Sequence, residues 1–246
     1  MIKFFRHIRY KLLSEKNMGK YFKYAIGEII LVVIGILIAL QINNWNQQRL
    51  NNKKEKAYLK EIKTSLEADT LKISEVLEFN VKKDSIVLNM MGIYESGLTN
   101  DERFAIIETN SAPFTNYDFF KPNATTWNNF ISAENINLIT NKDLRTKLME
   151  FYSFDYDGSI QERLKIMNRK VIDENFHYFF TKEYTLNNLN MVTDLPSNNQ
   201  INLHLNQKLL SDLFGIRYLI NMQNRFLNNT KIQIKTLIDL INQQIN

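Results

Sequence analysis

The run from Tyr24 to Ile42, YAIGEIILVVIGILIALQI, constrains this chain more than any other feature. Its nineteen residues include only Glu28 and Gln41 as strongly polar members, and a bilayer core needs ~20 mostly apolar residues in a helix. A soluble core helix of that length would keep a polar face, whereas Ile29–Leu40 has none. A cleaved signal peptide fits poorly. The basic region before the run is 23 residues long, and bulky Ile42 and Trp45 stand where a small-x-small cleavage site belongs. The pattern predicts an uncleaved transmembrane helix, bracketed by the interfacial aromatics Tyr21, Tyr24 and Trp45.

Charge supports that reading. Residues 1–40 hold seven of the 31 Lys and Arg but two of the 26 Asp and Glu, so the rest of the chain is neutral overall. The basicity sits beside the membrane run, where Lys3, Arg6, Arg9, Lys11, Lys20 and Lys23 are candidates for contact with anionic head groups. Nucleic acid is therefore not an expected partner. Ile2, Phe5, Ile8 and Leu12 fall near one helical face of the arm. This suits a helix lying in the cytoplasmic interface or a short soluble helix folding back. Residues 8–23 carry five Lys or Arg and residues 43–57 four. With Lys23 against the membrane, the balance predicts a cytoplasmic amino terminus and an external carboxy-terminal domain.

The remaining chain has few Gly (7) and Pro (3) and no Cys. Disulfides, thiolate metal sites and cysteine nucleophiles are excluded. Leu59, Ile62, Leu66, Ile73, Val87 and Met90 recur at helical spacing, with Asp69, Asn80 and Lys83 as polar interruptions. The membrane helix is free to continue into this stretch. Thr99 or Asn100 caps a short helix to about Glu108. Residues 109–123 read as a loop, and ATTWNNFISAEN as a short helix. INLI reads as a brief extended piece. Thr140 or Asn141 then caps a helix that breaks around Gly158 and resumes. Residues 185–206 read as an Asn-rich connection before a last helix over about 207–244. The predicted fold class is all-α: one N-terminal transmembrane helix, then an elongated helical-bundle domain of three to four long helices plus short helices. The divisions are a basic arm (1–20), the membrane helix (21–45), a stalk or first bundle helix (46–98) and the rest of the helical domain (99–246).

Several groups invite a functional reading. Glu28 lies about 10 Å from the middle of the run at ~1.5 Å per residue. An intramembrane carboxylate is a candidate by default, but one this near the interface can also reach Lys20 or Lys23. Gly35 and Ala39 form a small-xxx-small pair with Gly27 two turns earlier, so Gly27, Glu28, Gly35 and Ala39 are candidate helix-contact residues. Phe114, Tyr117, Phe119, Phe120, Trp127 and Phe130 surround a proline-punctuated loop, which suits a ligand or partner surface, or a loop pinned onto the bundle. FDYDGS, residues 154–159, lacks the later Glu of a calcium loop and reads as a helix break. His7, His177 and His204 have no nearby ligand partner, and no nucleophile elbow or glycine-rich phosphate loop is present. No catalytic residue, metal ligand or cofactor is expected.

Three stretches, MIKFFRHIRYKLLSE, YAIGEIILVVIGILIALQINNWN and FISAENINLITNKDLRTKLMEFY, together resemble an uncharacterised Bacteroidota family of small membrane proteins, domain of unknown function 6090. The third departs from the family pattern at Glu134, where a small residue or glycine is expected. The resemblance implies an inner-membrane anchor with an extracytoplasmic helical domain, and supplies no activity. The expectation is thus a non-enzymatic, single-pass inner-membrane protein whose periplasmic domain is a scaffold, sensor or docking module. Its expected partners are membrane lipids and, through membrane helix and stalk, a second copy or another envelope protein. The alternatives are a small-ligand or lipid-binding domain using the loop around residues 114–130 and, more weakly, an unrecognised hydrolase.

Overall fold

The computed structural model describes residues 18–133, 135–192 and 202–245, apart from the side chains of Met18, Lys20, Tyr21, Glu183 and Asn187. Among the described residues every regular element is helical. They are α1 (Met18–Met91), α2 (Asn100–Thr115), α3 (Thr125–Ser132), α4 (Lys142–Ser153), α5 (Ile160–Phe179), α6 (Lys182–Leu189) and α7 (Gln207–Ile245), with short 3-10 turns between some of them. The chain divides into two units, Met1–Lys56 and Ala57–Asn246, and α1 contributes residues to both.

In the second unit α1 buries residues 59, 62, 66, 69, 73, 76, 80, 83, 87 and 90, and α7 carries a matching seam at 209, 213, 216, 220, 223, 227, 230, 234, 237 and 241, with Asp212 and Leu219 buried beside it. Steps of three and four in strict alternation are the 3.5-residue period of helices that pack side by side along a seam. The two helices run antiparallel, as their cross-links show: Lys63 to Asn242 at 2.9 Å, Lys231 to Ser74 at 3.0 Å, and Arg217 to Asp84 at 2.7 Å. Leu59, Ile62, Leu66 and Ile234 are fully buried, each worth about 1.5–3 kcal/mol relative to exposure.

Two apolar cores result. One joins Leu59–Val76 of α1 and Leu227–Ile241 of α7 to Phe120, Trp127, Phe130, Leu148 and Phe151. The other joins Val87, Met90 and Ile93 to Ile107, Phe114, Val171, Phe179 and the α7 residues Leu209–Ile220. Of the polar members of the seam, Asn80, Lys83 and Gln223 lie in sequence between the two sets, and Asp69 and Thr230 fall within the first.

Helix starts follow local capping chemistry. Thr99 accepts from the Glu102 amide at 3.3 Å while the Glu102 carboxylate accepts from the Thr99 amide at 2.7 Å, a complete capping box. Asn141 accepts from the Leu144 amide, and Ser159 from the Gln161 amide. Gly97 turns the chain between α1 and α2 at φ +87°, a conformation that favours glycine. Buried Arg103 then holds that connection by donating to the carbonyls of Ile93, Glu95 and Leu98. Thr99→Ala is expected to cost about 1 kcal/mol in urea unfolding, and Thr99→Ser to restore most of it.

Three local expectations are corrected. α2 does not stop near Glu108 but runs to Thr115. Thr109, Asn110 and Ser111 turn their side chains onto the helix's own carbonyls at 2.8, 2.8 and 3.0 Å, so their polar groups are satisfied inside the helix and do not end it. INLI begins inside a 3-10 turn over Asn135–Leu138, with no neighbouring strand among the described residues to pair an extended piece. The Asn-rich connection begins with a helix, α6, because buried Thr181 accepts from the Tyr184 amide at 3.1 Å and starts a new turn.

Candidate functional site

The apolar run is helical throughout and finds no cover among the described residues. The large side chains from Ile29 to Leu40 are 47–66% exposed, and Tyr24, Trp45 and Lys23 are exposed too. An added Cβ at Gly27 or Gly35 would meet nothing within 4 Å, and Ala39 is likewise open. Glu28 is half-buried. Beyond the run, the Arg49 guanidinium lies 5.7 Å from the Trp45 ring centre. Lys3, Arg6, Arg9 and Lys11 fall outside the described residues, as does the Lys20 side chain.

The predicted aromatic group separates into different environments. Phe114, Phe120, Trp127 and Phe130 are buried, and Phe114 belongs to a different core from the other three. Only Tyr117 (37%) and Phe119 (47%) keep substantial exposure. Phe119 borders a small cleft of about 100 Å³ with Tyr156, Gln161 and Lys165. The buried rings make edge contacts, Phe120 with Tyr156 at 5.5 Å and Phe114 with Phe179 at 5.3 Å, and Trp127 stacks on Tyr152 at 5.1 Å.

What holds the segment from Phe114 to Asn123 is a set of polar side chains projected from three helices. Lys83 donates to the carbonyls of Phe114 and, at 2.8 Å, Asn116. Asn168 donates to the Thr115 carbonyl at 3.2 Å, and Gln223 to the Asp118 carbonyl at 3.1 Å. Gln161 takes both sides of one residue, accepting from the Phe120 amide at 2.7 Å and donating to its carbonyl at 2.9 Å. Asp69 accepts from the Asn123 amide at 3.0 Å. A buried backbone segment outside a helix must find partners for its amides and carbonyls. Here α1, α5 and α7 supply them. Amide-to-amide bonds join the helices in turn: Asn80 to Gln223 at 2.8 Å, and Gln223 to Gln161 at 3.3 Å. Asp69, Asn80 and Lys83, which interrupt the apolar pattern of α1, are thus the residues that grip the loop and bridge the helices. The only warning in the sequence is their phase, since each falls on a seam position.

Burial perturbs these groups. Desolvation pulls the Lys83 ammonium down to about 7, and the Phe114 ring, 4.2 Å from Nζ, faces it. Burial raises the Asp69 carboxyl, partly opposed by the bond from the Asn123 amide. The Tyr152 and Tyr156 hydroxyls are pushed up by burial first and by the charge of Asp69 second. Elsewhere, Asp155 of FDYDGS accepts from the Gly158 amide at 2.8 Å, which makes it a turn-closing residue, and Asp157 pairs with Lys121. His177 and His204 are exposed. No cluster of three His, Asp or Glu suited to a metal occurs among the described residues.

A larger cleft of about 610 Å³ opens between α4 and α7, with Phe151, Tyr156 and Leu237 in its lining. No motif in the sequence marks it. Its lining comes from residues 147–156 and 226–237, which only the packing of α4 on α7 brings together.

A model of a family of unknown function, DUF6090, matches residues 28–208. No curated protein and no solved structure matches the chain.

Proposed function

The chain belongs to that family, and from that premise we propose that it is a single-pass inner-membrane protein whose carboxy-terminal helical domain docks a partner outside the cytoplasm. One observation carries the reading: the aliphatic run Ile29–Leu40 is open along its whole length among the described residues. A contiguous apolar surface of that size calls for lipid or another chain to cover it. Supporting the docking role, the buried polar groups Lys83 and Gln161 are engaged with loop backbone, as is one oxygen of Asp69. Lipids and a second copy or another envelope protein are the partners this architecture would meet, with Gly27, Glu28, Gly35 and Ala39 as the candidate contact residues on the membrane helix.

Alkaline carbonate extraction of membranes and reporter fusions test the anchor. The full chain is expected in the pellet. An alkaline phosphatase reporter is expected to be active on the carboxy terminus and silent on the amino terminus. Recovery in the supernatant overturns the anchor, and the reverse reporter pattern overturns the orientation. Cross-linking in intact cells tests docking: a discrete adduct of the full chain is expected, and only monomer at every cross-linker length counts against it.

A further inference from the structure

We propose that the cleft between α4 and α7 binds a small organic cation with an apolar body, Glu150 meeting the charge and an aromatic cluster the body. At about 610 Å³ the cleft lies within the range of small-molecule sites. Its floor is already buried at Phe151, Tyr156 and Leu237, each 5% exposed or less. At one end Phe154 lies 4.8 Å from Tyr156 and 5.8 Å from Phe226, ring centre to ring centre, so three rings form a single patch. Phe154 is 49% exposed, which leaves ring surface open.

Charge at the rim selects the ligand. Lys147 and Glu150 both line the cleft. Lys147 is held 3.1 Å from Asp143, one turn back along α4, so its charge is answered there. Among the described residues no ion pair engages Glu150. Glu150 and Phe154 are four apart on α4 and its C-terminal continuation, which puts the carboxylate beside the aromatic end. A carboxylate next to exposed aromatic rings attracts an ammonium by charge and by the negative ring faces together. It repels a carboxylate of the same shape. Asn229, Gln233 and Thr236 on the opposite rim add neutral hydrogen-bonding groups without opposing charge.

The test uses the full chain in phosphatidylglycerol nanodiscs, with hexyltrimethylammonium, hexanol and hexanoate as probes followed by titration calorimetry. Saturable binding of the cation is expected, with hexanol at least about fivefold weaker and hexanoate weaker again. Glu150→Gln is expected to weaken the cation about fivefold and to leave hexanol unchanged. Phe154→Ala is expected to weaken both. Circular dichroism melting checks that each variant folds; Glu150 is exposed, so its substitution is not expected to shift the melt. Adding phosphatidylcholine to the discs separates sources. A drop in affinity for the soluble cation means that a lipid head group fills the cleft, and no drop points to a free cation. Absence of saturable binding, equal affinity for the three probes, or full cation affinity in Glu150→Gln overturns the proposal.

Discussion

Gln161→Ala is expected to lower the stability of the helical domain by about 3 kcal/mol, among the largest effects of any single substitution in this chain. The side chain is 6% exposed and bonds to the Phe120 amide, the Phe120 carbonyl, the Tyr156 carbonyl and Gln223. Alanine removes all four contacts at once. The Phe120 amide and carbonyl then stay buried without partners, because the Phe120 ring is fixed in the core at 0% exposure. An orphaned buried backbone group costs about 1–3 kcal/mol, and a cavity of amide size adds to that. Urea unfolding of the full chain in detergent, read by Trp127 fluorescence and by far-ultraviolet circular dichroism, measures the loss. Gln161→Glu separates bonding from volume. It keeps the acceptor for the Phe120 amide, loses the donors and brings a charge into the site, so it is expected to be destabilised as well. Amide exchange gives the local readout: the Phe120 amide is expected to exchange about a hundredfold faster in Gln161→Ala. A change below about 1 kcal/mol, with Phe120 still protected, would show that the grip on the loop is dispensable.

The same residues show where sequence reading reaches and where it stops. The helix of the apolar run, the caps at Thr99 and Asn141 and the length of α7 follow from interactions within a few residues, and the structure has them as expected. The end of α2 does not, because Thr109 and Asn110 look like loop formers until their side chains are seen bonded to the helix's own carbonyls. Asp69, Asn80 and Lys83 look like flaws in an apolar seam. Their partners lie far along the chain, Asn123 for Asp69 and Gln223, 143 residues away, for Asn80, so no local pattern announces them. The aromatic loop illustrates the same limit. Composition identifies Phe114, Phe120, Trp127 and Phe130 as a group that must be buried by something. That each would face inward, and that polar side chains from three helices would supply the backbone partners, depends on how the helices pack. The cleft at α4 and α7 is the extreme case, since nothing in either segment alone distinguishes it from an ordinary amphipathic helix.

Lys83 makes the domain's stability rise with pH, as acid-labile salt bridges do, but in a neutral-to-alkaline window instead of an acidic one. Its ammonium is 3% exposed, and its neighbours are the carbonyls of Phe114 and Asn116 and the Phe114 ring. Burial lowers the folded-state value to about 7, against 10.5 for an exposed lysine. Between those two values the unfolded chain holds the proton and the folded chain has released it, so stability rises with pH through that window. Below about 7 both states are charged and the full penalty of burying the cation is present. Above the unfolded value neither state carries the proton, and the dependence ends. The expected gain for Lys83 between about pH 6.5 and about pH 9.5 is on the order of 3 kcal/mol. Other groups titrate over the same range, so the informative quantity is the difference between the wild-type chain and Lys83→Met at each pH. Methionine matches the aliphatic stem but donates to neither carbonyl, which costs about 1–3 kcal/mol at every pH. The wild-type chain is therefore expected to gain on Lys83→Met steadily as pH rises, seen as a growing separation of urea midpoints. Parallel stability curves for the two proteins over this range would mean that Lys83 keeps its proton in the fold, with the two carbonyls and the ring compensating for burial.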